Sequence, residues 1–167
     1  ARNAAQTIDA VRREKWDVVV LDLNLSGRSG LEVLKDIRAE FPALPVLVLS
    51  MYSEEQFAVR VIRAGANGYL NKNTASRVLL DAIRQVVGGG RYISPAVAEQ
   101  LFSAVKSPGD APLHATLSDR EDQVMRLIGG GQTVGGIAGQ LNLSVKTVST
   151  YRANILRKLG LKNNAQM

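Results

Sequence analysis

Apolar positions recur along this chain with two alternating periods. Ala4, Ile8, Val11 and Arg12 have helical spacing and lead into a continuous run, Val18 to Leu21. Leu31, Leu34, Ile37 and Arg38 resume the helical period before a second run, Val46 to Leu49. Phe57, Val61 and Ile62 make another helical stripe, Asn67 to Leu70 a short strand, and Val78, Leu79, Ala82, Ile83 and Val86 a last helix that stops at Gly88, Gly89 and Gly90. Short buried runs separated by amphipathic helices predict βα units and a parallel sheet covered on both faces.

Beyond the triple glycine the strand signal disappears. Ser94-Pro95 reads as an N-cap and first helical residue, opening a helix of about 95–106. The stretch 107–116, rich in Pro, Gly and Asp, reads as exposed linker, with His114 solvated in it. From Leu117 onward only helical signals remain. Ser118 with Glu121 three residues later forms a capping box, and Leu117, Val124, Leu127 and Ile128 supply an apolar side. Thr133 and Ser144 head a short helix (134–141) and a longer one (145–159), with Gly160 as C-cap. Two helices joined by Asn142, Leu143 and Ser144 have helix-turn-helix spacing. The predicted division is 1–88, a connecting 89–116, and 117–167.

Composition changes this picture little; charge changes it more. The 167 residues are 46% hydrophobic and contain no cysteine, which excludes a disulfide framework and thiolate metal sites. No apolar run approaches the ~20 residues that span a bilayer, and no signal-peptide pattern opens the chain, so a cytoplasmic protein away from membranes is expected. The net charge is +6. Residues 1–122 carry 15 Lys and Arg against 15 Asp and Glu, so the whole excess lies in the last 45 residues, where no acid occurs. A basic segment joined to a neutral one suits a polyanion such as nucleic acid, although a solvated basic face gives the same numbers.

Candidate chemistry gathers at the strand ends. Asp22 follows the run Val18 to Leu21, Ser50 follows Val46 to Leu49, and Lys72 follows Tyr69-Leu70-Asn71. Parallel strands bring such residues to one edge, where ligands collect in open α/β sheets. A carboxylate can attack phosphorus, an ammonium can neutralise phosphate oxygens, and a hydroxyl can donate to one of them. Each residue alone reads as a polar strand end; three at successive ends suggest a phosphoryl site.

The segments VVVLDLNLSGRSGLEVL (18–34), VLVLSMYS (46–53) and AGANGYLNK (64–72) resemble receiver domains of two-component response regulators. With the C-terminal half they resemble the NarL/FixJ class. The resemblance implies a doubly wound parallel α/β sheet of the CheY/flavodoxin-like type followed by a small all-α domain. It implies that Asp22 is the phosphoacceptor for a histidine kinase and that Asp22 and the Asn24 carbonyl serve a Mg2+ ion. Ser50 is then the switch hydroxyl, Lys72 its salt-bridge partner, and Tyr69 the aromatic that turns inward. The family's usual Pro is replaced by Ser26. Its first strand, with an acidic pair for magnesium, has no counterpart here, so the site is incomplete with Asp22 alone and Mg2+ is expected of the complete receiver rather than of this chain. The chain also stops inside the expected last helix. Either the chain is truncated at both ends, or this receiver works without phosphate; the presence of every downstream switch residue favours the former.

In the helix from Val145, positions Val148, Ile155 and Leu159 share one face, while Lys146, Thr150, Ala153 and Arg157 lie opposite with Ser149 beside them. Arg152 falls nearer the apolar side. With LSDRE, IAGQL, LSVKTVSTYRANILRKLG and LKNNAQ, residues 117–166 resemble the LuxR-type helix-turn-helix. The resemblance implies that 145–159 reads double-stranded DNA, with Lys146, Ser149 and Thr150 at bases or nearby phosphates. Thr133, Thr147, Tyr151, Arg157 and Lys158 would meet the backbone, and the active form would be a homodimer. Gly135, Gly136 and Gly139 depart from the family and should make the supporting helix soft. The expected function is phosphorylation-controlled transcription regulation, without an enzymatic output. A protein-binding scaffold that never takes phosphate is the competing reading.

Overall fold

The computed structural model describes residues 1–25, 28–106 and 117–166. Ser26, the 107–116 linker and His114 lie outside the described residues. The chain divides into two compact units, Ala1–Pro108 and Gly109–Met167.

In the first unit the order is α1 (Ala4–Arg13), β1 (Val19–Asp22), α2 (Gly30–Glu40), β2 (Val46–Ser50), α3 (Glu54–Arg63), β3 (Gly68–Asn71), α4 (Lys72–Val87) and α5 (Pro95–Lys106). The three strands form a parallel sheet in the order β1-β2-β3. Leu21 pairs with Val48, Asp22 with Leu49, Val48 with Tyr69 and Ser50 with Asn71. This register decides which side chains share a face, because alternate strand residues point oppositely. Leu47 and Leu70 pack under Ala82 and Val86 of α4. Val46, Val48 and Tyr69 point to the other face and are fully buried. The right-handed rule for parallel crossovers places α2 and α3 on that side.

Coverage is less even than the apolar run 18–21 predicts. α4 packs on β2 and β3, so Val20 on β1 stays 43% exposed. The helix after β3 also starts six residues before its apolar period, at Lys72, because Asn71 caps it. The stretch after the triple glycine is more than a connector. Tyr92 N–H donates to Asn67 O (2.9 Å) and Tyr69 N–H to Tyr92 O (3.1 Å), which extends the sheet edge, and α5 packs against α3.

Gly68 permits that extension. A Cβ there would lie 2.8 Å from Tyr92 O and from the Leu47 side chain. Arg38 ties the start of the sheet together: its guanidinium donates to Pro42 O (2.7 Å), Leu44 O (2.9 Å) and Asn67 Oδ1 (3.1 Å). Burial pushes its pKa down, and these acceptors satisfy much of its hydrogen-bonding capacity.

The second unit contains α6 (Asp119–Gly129), α7 (Val134–Leu141), α8 (Val145–Leu159) and a 3-10 turn, Asn164–Gln166. The capping box at Ser118 and Glu121 forms as the sequence predicts. Gly160 caps α8 at φ 67°, and Asn142 ends α7 in the same left-handed region at φ 52°. Leu117, Val124, Ile137, Leu141, Val148 and Ile155 make the core, which holds α7 and α8 in helix-turn-helix sequence. No described helix is long and apolar enough to cross a membrane.

Candidate functional site

The carboxyl ends of β1, β2 and β3 bring together the three residues that the strand-end pattern picks out. Asp22 closes β1, and its Oδ1 accepts the Asn24 N–H at 2.9 Å. Its Oδ2 lies 2.5 Å from Lys72 Nζ. Lys72 reaches it from the first turn of α4, on the sheet face that Asp22 shares with Leu49 and Leu70. Ser50 closes β2 and is fully buried, with its Oγ accepting the Tyr52 N–H at 3.3 Å.

Tyr69 lies inward with no exposed surface. Burial pushes its phenol above the ordinary range, only partly offset by a hydrogen bond with Ser50. The hydroxyl therefore keeps its proton and donates to Tyr52 O at 2.8 Å. A carboxylate, an ammonium and a hydroxyl thus share one edge, with a buried aromatic beneath the hydroxyl.

Three contributors escape the strand-end pattern. A Cβ on Gly30 would lie 2.2 Å from Asp22 O, so only glycine lets α2 begin against the loop that carries the acceptor. Tyr52 spans the site: its phenol donates to Asn24 Oδ1 (3.0 Å), and its carbonyl accepts from both Tyr69 and Asn71 Nδ2 (2.9 Å). Asn71 also caps α4, accepting the Asn73 N–H at 2.8 Å. Tyr52 and Asn71 carry no sequence signal beyond their proximity to Ser50 and Lys72. Gly30 could have been found as the glycine that follows the N-cap candidate Ser29 and opens the helix after the acceptor loop.

The resemblance to receiver domains implies Mg2+ at this position. The donors here are few. Asp22 has one oxygen against a backbone N–H and the other against Lys72, and no cluster of three or more His, Cys, Asp or Glu suited to a metal occurs among the described residues. Hard cations prefer several oxygen ligands, so Asp22 and Asn24 do not by themselves fit the ion.

The second candidate surface is the outer side of α8. Lys146, Ser149, Thr150, Ala153 and Arg157 are all exposed and fall on one side at 3.6 residues per turn. Thr150 Oγ1 donates back to Lys146 O at 3.0 Å, and Arg157 donates to Asn154 Oδ1 at 3.3 Å. The other predicted contact residues stand elsewhere. Thr133 Oγ1 caps α7 by accepting the Gly136 N–H (3.1 Å), and Thr147 Oγ1 lies 2.7 Å from Ser144 Oγ. Tyr151 is half-buried.

Lys158 Nζ lies 2.6 Å from Glu121 Oε2 and so joins α8 to α6. Burial pushes the Glu121 carboxyl up, but hydrogen bonds from Lys158 and Ser118 outweigh it and hold the group below the usual range. Arg152 donates to Asn164 Oδ1 at 2.6 Å and fixes the closing turn.

Residues 1–84 match the response regulator receiver domain, and residues 115–167 match the LuxR family of bacterial regulatory proteins. The response regulator GacA of Pseudomonas protegens is 36% identical over 168 residues, covering 100% of this chain and 78% of GacA. Among solved structures, RcsB of Salmonella enterica serovar Typhimurium, bound to a promoter in the presence of the phosphomimetic BeF3−, is similar with a TM-score of 0.53 and 26% identity. That match covers 97% of this chain and 78% of RcsB. A structure of two RcsB dimers on two parallel DNAs is similar at the same TM-score, 0.53, and 26% identity, covering 97% of this chain and 77% of that one.

Proposed function

The chain belongs to the response regulators that join a receiver domain to a LuxR-type domain, and on that premise we propose that Asp22 accepts a phosphoryl group from a histidine kinase and that this sets DNA binding by α8. The observation that carries the reading is the 2.5 Å approach of Lys72 Nζ to Asp22 Oδ2, at the sheet edge where Ser50 ends the next strand. An Asp22 oxygen attacks phosphorus as the bond to the donor nitrogen breaks. Lys72 neutralises the added phosphoryl oxygens, a charge-assisted contact stronger than a neutral one. The Ser50 hydroxyl would exchange its bond to the Tyr69 hydroxyl for one to a phosphoryl oxygen, and its movement would withdraw the acceptor of the Tyr52 N–H. The two packings of the Ser50–Tyr52 loop are the states whose populations phosphorylation shifts.

The output is binding rather than turnover, and its partner is double-stranded DNA entered by α8 in the major groove. Lys146, Ser149 and Thr150 stand nearest the base edges, with Arg157 at phosphate. Two copies would meet two half-sites, as the RcsB dimers on DNA suggest. The proposed division is a receiver whose 1–88 is completed by Tyr92 and α5, which pack onto it, and an output domain of 117–167. Such a protein works in the cytoplasm.

Acetyl phosphate with magnesium, followed by intact-mass measurement and a gel-shift titration, tests the reading. The wild-type chain should gain one phosphoryl mass, but slowly, because Asp22 and Asn24 offer magnesium few oxygens, and should bind its operator more tightly once labelled; Asp22→Asn should do neither. Labelling that persists in Asp22→Asn would place the acceptor elsewhere. DNA binding that ignores the label would favour the scaffold reading.

A further inference from the structure

The loop after β2 and the first turn of α4 meet through a single side chain. Asn71 sits opposite Ser50 in the strand register and immediately before Lys72. Both ends of its amide are engaged: Oδ1 accepts the Asn73 N–H at 2.8 Å, and Nδ2 donates to Tyr52 O at 2.9 Å. A carbonyl oxygen has two lone pairs, and the Tyr69 hydroxyl takes the second at 2.8 Å. The acceptor is thus saturated by two donors from the same strand. Tyr52 is 5% exposed and continues the chain of bonds, with its N–H on Ser50 Oγ and its phenol on Asn24 Oδ1. Every strand-end loop is therefore tied to Tyr52, and Asn71 is the tie that also determines where α4 begins.

We propose that Asn71 is a positioning residue of the phosphoryl site, fixing the loop that follows Ser50 to the turn that carries Lys72 so that hydroxyl and ammonium keep one spacing over Asp22. The inference rests on the phosphoryl reading of that site. Helix capping alone needs only the Oδ1 acceptor, and serine or aspartate would serve it equally. The Nδ2 bond is additional. It holds a buried carbonyl that Tyr69 alone would leave half-satisfied, and it places Tyr69 and Asn71 side by side on one acceptor. When the Ser50 loop moves, α4 must then move with it or release this bond.

Substitutions that keep the cap and delete the donor separate the two roles. The full chain is labelled with 3-fluorotyrosine, and the resonances of Tyr52 and Tyr69, two of its four tyrosines, are assigned with Tyr52→Phe and Tyr69→Phe. In wild type each should give one sharp line. In Asn71→Ser, and in the near-isosteric Asn71→Asp, both lines should broaden or split. The minor population should rise about fivefold, the equivalent of the ~1 kcal/mol net worth of one hydrogen bond. Circular dichroism should stay at wild-type values, and the melting temperature should fall only by the few degrees that ~1 kcal/mol represents in a domain of this size.

Unchanged lines in both variants would overturn the proposal. A split accompanied in both variants by faster amide exchange at Asn73, whose N–H the cap accepts, would overturn it too, since Asn71 would then be only a cap. Beryllofluoride with magnesium supplies a separate arm. No response of the wild-type lines would overturn the phosphoryl reading while the ligand-free comparison still judges the bracket. Where wild type responds, the midpoint in Asn71→Ser should move to about fivefold higher concentration, and an unmoved midpoint would count against the coupling.

Discussion

Alanine at Gly135 or Gly139 should stabilise the C-terminal unit, and the gain can be worked from the space around each glycine. Both lie in α7, where a helical glycine is less favourable than alanine by roughly 0.5–1 kcal/mol through backbone entropy. That gain is realised only if the added methyl meets no obstacle. A Cβ at Gly135 or Gly139 has nothing within 4 Å. Each single change should therefore slow amide exchange in α7 about two- to fivefold, and the double change by roughly 5- to 30-fold if the effects add. Gly136 is the internal control. Its Cβ would lie 3.3 Å from Thr133 Oγ1, the atom that caps α7 by accepting the Gly136 N–H. Disturbing an N-cap typically costs about 1 kcal/mol, so Gly136→Ala should gain nothing or lose stability. Hydrogen exchange followed by mass spectrometry on the full chain measures all three, because peptides from α7 report its opening directly. Equal gains at the three positions would show that the Thr133 cap has no energetic weight. Losses at Gly135 and Gly139 would show that their outer side is occupied.

Other expectations follow from the same geometry. Gly30→Ala forces a methyl toward Asp22 O, 2.2 Å from where its Cβ would sit; overpacking of this kind costs about 1–3 kcal/mol, so the melting temperature and acetyl phosphate labelling should both fall, and a variant unchanged in both would refute the close approach. Glu121 has a folded-state pKa below its usual 4.5, so its contribution is complete above that pH and is lost as pH falls through the lower folded value. Denaturation of the C-terminal unit should steepen below about pH 4.5, less so in Lys158→Met, and identical profiles would remove the ion pair from the account. Arg157→Ala should weaken binding to all duplexes alike and reduce the salt slope by about one, whereas Lys146→Ala should cost roughly 1–3 kcal/mol and relax one operator position. Unchanged affinity and slope in both would move the DNA surface off α8.

Regular elements were legible because their burial is periodic. Val46 to Leu49 is apolar without interruption since β2 is the central strand, flanked by β1 and β3, and the α8 boundaries follow from Ser144 and Gly160. The site was legible where chemistry coincides with a strand end, as at Asp22 and Ser50. It was not legible where a residue acts through its backbone. Tyr52 contributes a carbonyl as well as a phenol, and nothing in a sequence marks a carbonyl as shared. Asn71 was passed over for a related reason: an N-cap is recognised by the apolar period that follows it, and the first turn Lys72-Asn73-Thr74 is polar. Val20 fails in the opposite sense. An apolar run predicts burial, but the helix that would cover that face lies over β2 and β3 instead.

Charge shows the same difference between inventory and placement. Six basic residues follow Asp122, and the bare count suggests six contacts for a polyanion. The structure engages four of them within the unit: Arg126 with Asp122 at 2.9 Å, Lys158 with Glu121 at 2.6 Å, Arg152 with Asn164 at 2.6 Å, and Arg157, still exposed, with Asn154 at 3.3 Å. The acids Asp119, Glu121 and Asp122 all sit in the first turn of α6, where the helix dipole favours them, and all three are buried. Negative charge is thus withdrawn from the surface while Lys146, Arg157 and Lys162 remain exposed. A basic face on α8 arises from where the acids are hidden as much as from how many cations there are. The charge asymmetry was therefore a guide to an exposed basic face on α8 and a poor guide to its size: Lys146 and Arg157 with the Ser149 and Thr150 hydroxyls, rather than six cations, make up that face.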